Sequence, residues 1–196
     1  MKIAVIGATG LVGNAAVQEL AARGHEVTAF ARNTDKVFQA PNVTARAADV
    51  NAADFAEQLK GFDAVVSAFN PGWDNPNLAA DFTRGANSIN EAAKAAAVPY
   101  LLIVGGAGSL NVAPGVQLVD TPEFPQDIYP GANAARELLD GLRERRDVNW
   151  AFLSPAAMFG SHPDNTARSG RYRTGRDDVL FDANGAPADI STADLA

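Results

Sequence analysis

Residues 2–13 read KIAVIGATGLVG, an apolar run followed at once by glycines at every third position. Lys2–Ile6 has the length of a buried strand, and the helical pattern behind it ends at Arg23, where Gly24 marks the helix end. A strand, a glycine turn and a helix in this order predict a dinucleotide-binding fingerprint. The spacing G-x-x-G-x-x-G is one residue longer than the common G-x-G-x-x-G form.

The three glycines of this turn have separate expected roles. Gly7 lets the chain turn sharply, Gly10 lets the backbone approach a pyrophosphate, and Gly13 lets the helix pack against the strand beside it. The phosphates would lie at the helix N-terminus, among unpaired N–H groups and the positive end of the helix dipole. An ordinary strand-to-helix turn with incidental glycines is the alternative, but the context favours cofactor binding.

The size and composition of the chain limit its class. At 196 residues, with 47% hydrophobic and 20% charged residues, it is expected to be one globular α/β domain. No apolar run is long enough to cross a membrane, and no basic region leads into a signal segment. A cytoplasmic protein without a membrane partner is therefore expected.

Residue counts exclude several kinds of chemistry. The chain has no cysteine, so disulfides, iron–sulfur clusters and thiol catalysis are excluded. His25 and His162 are the only histidines, too few for a histidine-rich metal site, and no metal is predicted. A net charge of −7 argues against a nucleic-acid partner.

The residue after the second predicted strand bears on the choice of cofactor. Glu26–Ala31 is that strand, by its β-branched and aromatic content, and Arg32 stands at its end. NAD-preferring sites have an acidic residue near this place, but here no carboxylate comes before Asp35. An arginine fork suits the 2′-phosphate of NADP, so we expect NADP. NAD is the alternative, with Arg32 merely solvated beside a helix start.

Further strands alternate with helices. The third strand is predicted over Asn42–Val50, and the next helix is predicted to have Asn51 as its N-cap and to end before Gly61. The fourth strand is predicted over Ala64–Phe69, buried on both faces by its near-continuous apolar character. The pattern so far is β-α-β-α-β-α-β with short connections, which is half of a doubly wound sheet.

The middle of the chain repeats this alternation. We predict a helix over 78–97, a strand over 100–104, a helix over 132–145 and a sixth strand over 149–154. The polar loop 70–77 and the glycine cluster 105–109 each follow the carboxyl end of a strand, where ligands bind in open α/β sheets. Residues 110–130 are rich in proline and have no clear period, which is typical of a functional or mobile loop.

The last third of the chain is loop-like. A short hairpin is predicted around Val179–Phe181, with Asn184-Gly185 as its turn, and Ser191 is predicted to cap a final helix. The chain stops as that helix begins, so the sequence does not decide whether a further segment follows.

The expected fold is a doubly wound Rossmann fold, a mainly parallel sheet with helices on both faces and a small C-terminal hairpin region. Lys2–Ile6 is expected to be its central strand. A single NAD(P)-binding domain would cover residues 1–196, with substrate-side insertions at about 110–130 and 155–190.

Six motifs are distributed over the whole chain: Gly7–Gly13, Arg32-Asn33, Gly105–Ser109, Leu153–Ala156, Gly170–Arg173 and Ile190–Leu195. Together they resemble the short-chain dehydrogenase/reductase superfamily, in its atypical NAD(P)H-binding group. Within that group the chain is similar to bacterial proteins described as NADH-flavin reductases. The resemblance implies an NAD(P)H-dependent oxidoreductase that transfers a hydride to a flavin or similar flat aromatic acceptor. Flavin would be a substrate and not a tightly bound group.

One position departs from that superfamily. Ordinary members use a tyrosine, with a lysine four positions later, as the proton donor, but here Asn133 stands four positions after Tyr129. Reduction of an unactivated carbonyl needs such an acid, whereas a flavin or quinone delocalises the charge that it gains and takes its proton from solvent. The missing lysine therefore disfavours alcohol dehydrogenation more than flavin reduction.

Two groups of candidate site residues result. The predicted cofactor-binding residues are Gly7, Thr9, Gly10, Leu11, Val12, Gly13, Arg32, Asp49, Val50, Ala68, Phe69, Gly105 and Gly106. The candidate catalytic residues are Ser109, which would orient the nicotinamide or the acceptor, and Tyr129; an ordinary loop residue is the alternative for each. The loop aromatics Trp73, Phe124, Phe159 and Tyr172 are candidates to stack on a flat acceptor, although plain packing is favoured for each.

Two hypotheses of different class remain. The first is an NADPH-dependent reductase of a small-molecule acceptor, present as a monomer or homodimer. The second is a non-catalytic NADP(H)-sensing regulator that acts through a protein partner, because a related branch binds dinucleotide without turnover. In that case Arg171-Tyr172-Arg173 is either a partner-facing surface or simply a hairpin edge.

Overall fold

The structure is a computed structural model that describes residues 1–160 and 165–196. Its strands are β1 Lys2–Ile6, β2 Glu26–Ala31, β3 Val43–Ala47, β4 Ala64–Ser67, β5 Leu101–Val104, β6 Asn111–Ala113, β7 Val116–Gln117 and β8 Trp150–Leu153. Its α-helices are α1 Leu11–Ala22, α2 Phe55–Gln58, α3 Leu78–Ala95, α4 Tyr129–Arg143 and α5 Thr192–Leu195. Two single-turn 3₁₀ helices cover Ala107–Ser109 and Leu118–Asp120.

Six strands form a parallel sheet in the order β3-β2-β1-β4-β5-β8. Strand β1 lies inside this sheet, between β2 and β4, so the predicted central strand is confirmed. The order reverses between β1 and β4, which makes the fold doubly wound and places a crevice at the carboxyl ends of these strands. The predicted Rossmann fold is therefore confirmed.

Side chains of β1 alternate between two cores. Ala4 and Ile6 are buried on one face, together with Phe55 of α2 and Ile89 of α3. The other face is a separate core that includes Val17 of α1. Helices therefore cover both faces of the sheet, as the near-continuous apolar character of its strands predicts.

The connection between β2 and β3 differs from the prediction. Residues 32–42 contain no helix, because the side chain of Asn33 accepts the N–H of Asp35 at 2.8 Å and turns the chain, while Val37 is inserted into the core. Strand β3 ends at Ala47, earlier than the predicted Val50. The reason is that Ala47 pairs with Ala31, which is the last residue of the neighbouring strand β2. The predicted alternation was wrong at this point.

The predicted cap at Asn51 was also wrong. The N–H of Asn51 donates to the side chain of Asp49 at 2.9 Å, so Asn51 belongs to a turn and α2 begins later, at Phe55. Aspartate side chains commonly form such local turns in competition with helix starts.

On the ligand side of the sheet, the end of β4 and the start of α4 differ from the prediction. Strand β4 ends at Ser67, so Ala68 and Phe69 already belong to the loop that follows it. Helix α4 begins at Tyr129, three residues before the predicted start, with Pro130 in its first turn. Proline suits this place because its missing N–H would be unpaired there in any case. Tyr129 is therefore a helix residue and not a loop residue.

Short antiparallel structure lies in two places. The region 110–130, predicted without structure, contains the hairpin of β6 and β7. The predicted C-terminal hairpin is a tight turn with a single antiparallel bridge between Phe181 and Pro187. The predicted cap of the last helix is confirmed, because the Oγ of Ser191 accepts the N–H of Asp194 at 3.1 Å.

An exposed ion-pair network joins α3 to the segment before β8. Asp147 accepts hydrogen bonds from Arg145 at 2.9 Å and from Lys94 at 2.8 Å, and Arg145 also pairs with Glu91 at 2.8 Å. The hydrogen bond from Arg145, and then that from Lys94, holds the pKa of Asp147 well below its usual range. Because the pKa of Asp147 is lower in the folded than in the unfolded protein, the ionised carboxylate stabilises the folded state. This stabilisation is present above the ordinary aspartate pKa of about 3.9 and is lost as the pH falls below it.

We therefore expect Asp147→Asn to lower the melting temperature modestly at pH 7, and the difference from the unchanged protein to shrink as the pH approaches 3. The effect is small because the network is exposed to solvent. Thermal melts from pH 7 to pH 3 measure it. Asp63→Asn, at an aspartate outside this network, is the control, and a difference that stays constant with pH would contradict the assignment.

Candidate functional site

The glycine turn between β1 and α1 is tied to β2. Gly7 has a φ of +77°, and the N–H groups of Gly7 and Ala8 both donate to the carbonyl of Phe30, at 3.1 and 3.2 Å. A Cβ on Gly7 would lie 2.4 Å from the carbonyl oxygen of Ala68, and one on Gly13 would lie 2.1 Å from the carbonyl oxygen of Gly7. Both positions therefore require glycine, which agrees with the sharp turn and close packing predicted for them.

Gly10 differs from the other two glycines because the space around it is open. It is exposed, has a φ of −76°, and precedes the first residue of α1. Within the described ranges no side chain caps this helix, and its first turn has no acidic residue. The first N–H groups of α1 are therefore left to bind an anion such as a pyrophosphate, and these residues fit the predicted cofactor.

Arg32 lies next to this turn. It stands two residues after Phe30, whose carbonyl binds the turn, and its side chain is exposed. Among the residues that the structure describes, Arg32 forms no ion pair. Its guanidinium is thus available to an anion at the carboxyl end of β2.

The side chains of Asp49 and Val50 are both engaged within the protein. The carboxylate of Asp49 accepts the N–H of Asn51, so it caps a local turn, and the side chain of Val50 is buried in the core beside Phe55. Contacts of these two residues with a cofactor would therefore come mainly from the backbone.

The side chain of Phe69 is committed to packing on α3. Its ring stacks on that of Phe82 at a centroid distance of 6.3 Å, and a Cβ on Gly85 would lie 2.3 Å from the Phe69 ring. Ala68, by contrast, donates its N–H to Ile6 at 2.9 Å and lies against Gly7. This backbone is therefore held beside the glycine turn, while the phenyl ring packs on α3 and stays half-buried.

The two glycines after β5 have different surroundings. A Cβ on Gly105 would lie 1.9 Å from the ring of Phe152 in β8, so this glycine is required for sheet packing. Gly106 has nothing within 4 Å of such a Cβ, which leaves room for a ligand. Of the two glycines, Gly106 has the more open surroundings.

Ser109 is buried and already has hydrogen-bonding partners. It is 4% exposed, its hydroxyl donates to the carbonyl of Gly106 at 3.1 Å, and its Oγ lies 3.3 Å from the Oγ of Ser154. Ser154, at the end of β8, was not predicted as a site residue. The pair holds the turn after β5 against β8, a role that suits positioning better than proton transfer.

Tyr129 packs on a neighbouring aromatic ring. Its ring meets that of Phe124 edge to face at a centroid distance of 6.4 Å. Four positions on, the amide of Asn133 donates to Glu137 at 2.9 Å and accepts from Arg136. The fourth residue after Tyr129 is therefore a neutral amide that is hydrogen-bonded along its own helix.

The loop aromatics fall into two groups. Phe124 is buried and Phe159 is half-buried, whereas 59% of Trp73 and 65% of Tyr172 are exposed. His162 lies outside the described residues. Exposure therefore leaves Trp73 and Tyr172 as the aromatics best able to meet a partner molecule.

The C-terminal segment returns to the glycine turn, a contact that no sequence pattern predicted. Arg168 forms an ion pair with Glu19 of α1, and Asp194 of α5 accepts the N–H groups of Ser169 and Gly170 at 2.9–3.1 Å. A groove of about 660 Å³ lies between this segment and α1, and its lining includes Thr9, Gly10, Leu11, Phe38, Arg168 and Thr192. No local signal marks a contact between residues so far apart in sequence.

Two kinds of feature are absent from residues 1–160 and 165–196. No helix there is both long and apolar enough to span a bilayer. No group of three or more histidine or acidic residues there is arranged to hold a metal ion.

The fold and the glycine turn together define a Rossmann-fold protein of the dinucleotide-binding class. The profile of the NAD(P)H-binding family matches residues 7–196, and the chain belongs to that family. The resemblance in the sequence to NAD(P)H-binding proteins is thus confirmed.

Several relatives span the whole chain. The uncharacterised protein YwnB of Bacillus subtilis strain 168 is 43% identical over 198 residues, which is 100% of this chain and 89% of that protein. Among solved structures, a putative epimerase from Bacteroides thetaiotaomicron is 40% identical with a TM-score of 0.87, covering 99% of this chain and 86% of that one. A putative NADH-flavin reductase from Streptococcus pneumoniae is 36% identical with a TM-score of 0.86, covering 100% and 89%. The chain therefore has an NAD(P)H-binding, oxidoreductase-like fold.

Proposed function

We propose that this protein is an NADPH-dependent oxidoreductase that passes a hydride to a flavin or a similar flat aromatic acceptor. The observation that carries the proposal is the pair Tyr129 and Asn133, in which an engaged amide replaces the lysine of the usual proton donor. Such a site is poorly equipped to protonate an alkoxide but is adequate for an acceptor that delocalises its charge. The flavin-reductase description of the Streptococcus pneumoniae relative supports the same acceptor class.

The cofactor would be held at the carboxyl ends of β1, β2 and β4. The first N–H groups of α1 would bind the pyrophosphate, and Arg32 would bind the 2′-phosphate that distinguishes NADP from NAD. When bound, the reduced nicotinamide supplies two electrons and one hydrogen as a hydride. The acceptor takes its second hydrogen as a single proton from solvent, so NADPH, one proton and oxidised flavin give NADP⁺ and reduced flavin.

The acceptor would bind in a cleft over the carboxyl ends of β4, β5 and β8. Its walls would be the loop 70–77, the turn 105–109, the segment 110–130 and the residues after Ser154, with 155–160 and 165–190 on the outer side. Ser109 would orient this turn through Ser154 rather than react. The protein thus contributes orientation and a dry pocket, while the cofactor supplies the redox chemistry. We further propose that it works as a single cytoplasmic domain, as a monomer or homodimer.

The direct test is NADPH oxidation in the presence of FMN, riboflavin or a quinone, followed by the loss of NADPH absorbance. We expect flavin-dependent turnover that exceeds the rate without enzyme and that is slower with NADH. Heat-denatured protein is the control for free-solution reduction. Absence of turnover with every flavin and quinone would overturn the reductase assignment.

We expect Tyr129→Phe to change kcat by less than about threefold, because general acid catalysis would make a difference of about 10²–10⁴. Steady-state kinetics with saturating NADPH measure this effect. Phe124→Leu, which removes the aromatic neighbour of Tyr129 but no hydroxyl, controls for packing. A loss of 10² or more with NADPH binding intact would show that Tyr129 is an obligatory acid.

The second candidate is a non-catalytic NADP(H) sensor that acts through a protein partner. The same Tyr129 and Asn133 pair favours it, as does the exposed segment Arg171–Arg173, in which 65% of Tyr172 is exposed. NADPH binding with no flavin- or quinone-dependent turnover would favour the sensor over the reductase.

A further inference from the structure

The loop between β4 and α3 presents a tryptophan to solvent. Trp73 is 59% exposed, whereas tryptophan is usually largely buried. A single exposed apolar residue is common and needs no explanation by itself. The rigidity of its loop and its place beside the acceptor cleft are what make Trp73 informative.

The loop that carries Trp73 is a series of hydrogen-bonded turns. The N–H of Gly72 donates to the side chain of Asn70 at 2.8 Å, and the N–H of Asn75 donates to the carbonyl of Gly72 at 3.1 Å. The amide of Asn75 also donates to the carboxylate of Asp81 in α3 at 2.9 Å. Trp73 is therefore bracketed by anchored residues, which reduces the entropy lost when a ligand binds it.

Trp73 packs against the first turn of α4, the helix that begins with Tyr129. A Cβ on Gly131 would lie 3.0 Å from Cζ3 of Trp73. The edge of the indole therefore lies against the backbone of α4, where a larger residue than glycine would crowd it. A Cβ on Gly108, in the turn after β5, would lie 3.3 Å from the Cβ of the next residue of α4, Ala132. The first turn of α4, which contains Tyr129, thus lies between Trp73 and the turn after β5.

We propose that Trp73 is a specificity-determining residue whose exposed indole face stacks on the flat ring of the acceptor. This inference rests on the proposed function and adds the residue that would select an isoalloxazine or similar ring over a smaller substrate. Offset stacking between an electron-poor flavin ring and an indole is favourable and requires no hydrogen-bond donor. Trp73 has such an open surface, on the loop that we propose as one wall of the acceptor cleft.

The kinetic test is Trp73→Ala with riboflavin and NADPH. We expect KM for riboflavin to rise by about tenfold, as aromatic stacking is worth that much or more, and KM for NADPH to change by less than about twofold. Trp73→Phe should recover most of the loss because it keeps an aromatic face. A KM for riboflavin unchanged by Trp73→Ala would overturn the stacking proposal while leaving the reductase assignment in place.

A binding test needs no turnover. Riboflavin is titrated into the protein with NADP⁺ present, and its fluorescence is excited in the visible band, where the protein does not absorb. Stacked indole quenches flavin emission, so quenching should occur in the unchanged protein and be largely lost in Trp73→Phe. The chain has two tryptophans, and Trp150→Phe is the matched control that should retain quenching.

The outcomes separate the two proposals. Quenching that depends on Trp73 without any flavin reduction supports the stacking residue and overturns the reductase. Equal quenching in Trp73→Phe and the unchanged protein overturns the stacking residue. No binding of riboflavin at all overturns the stacking proposal and leaves the reductase assignment to turnover with FMN and quinones. Thermal melts of each variant confirm that the compared proteins are folded.

Discussion

Gly10→Val is expected to leave the protein folded and to weaken NADPH binding by about a hundredfold, equivalent to two charge-assisted hydrogen bonds of about 1.5 kcal/mol each. The side chain would occupy the open space in front of the first N–H groups of α1. A pyrophosphate would then be unable to approach the backbone closely. Loss of these contacts affects NADH and NADPH alike, because both carry the same pyrophosphate.

The fold should tolerate this change because Gly10 does not use the conformational freedom of glycine. Its φ of −76° and ψ of 170° suit any residue, and a Cβ there would lie 3.4 Å from the nearest atom, the carbonyl oxygen of Gly7. Replacing a helix N-cap glycine by an aliphatic residue costs about 1 kcal/mol. Gly13→Val should instead destabilise the protein strongly, since its Cβ would lie 2.1 Å from the same oxygen.

Isothermal titration with NADPH, together with thermal melts, distinguishes binding from folding. Gly141→Ala is the control, because Gly141 is exposed in α4 with nothing within 4 Å of an added Cβ. Unchanged NADPH affinity in folded Gly10→Val would show that the pyrophosphate does not lie over this turn.

Arg32→Ala is expected to weaken NADPH binding by about tenfold to a hundredfold, the value of hydrogen bonds to a charged group, while NADH binding changes little. The reason is that only NADPH carries the 2′-phosphate. Arg32 is exposed, lies beside the glycine turn and, among the described residues, has no ion-pair partner to satisfy it. Arg32→Lys should recover part of the affinity, because it keeps the charge and loses the two-pronged fork.

The measurement is the ratio of NADPH to NADH dissociation constants in each variant at one salt concentration. Arg84→Ala is the matched control, an exposed arginine of α3 whose partner is Asp81. Equal losses for both cofactors in Arg32→Ala would show that this side chain does not bind the phosphate.

Local sequence signals predicted the structure correctly where a residue type has a strong conformational or hydrogen-bonding preference. Strands β1 and β2 match their predicted bounds, because short apolar runs end at glycine or at charged residues. Gly7 adopts the left-handed conformation that its place in the turn requires. Ser191 caps its helix as predicted, since its hydroxyl reaches the N–H of Asp194 only three residues away.

Other features depended on contacts between distant parts of the chain. Gly105 resembles a ligand-binding glycine in sequence, but the ring of Phe152 occupies the space beside it. The ring of Phe69 likewise packs against Phe82 and Gly85 of α3. Helix α4 begins at Tyr129 and not later, which changes the setting of the candidate acid. No periodicity encodes which side chain will fill a given space after the sheet has assembled.

The sequence therefore determined the class of fold, the position of the glycine turn and the identity of the residue four positions after Tyr129. These depend on residue identity and on interactions within a few positions. Only the tertiary structure decided which predicted site residues remain free to meet a ligand, and that the C-terminal segment lies beside α1 through Arg168 and Glu19. Packing is set by the meeting of elements far apart in the chain, so a local pattern cannot report it.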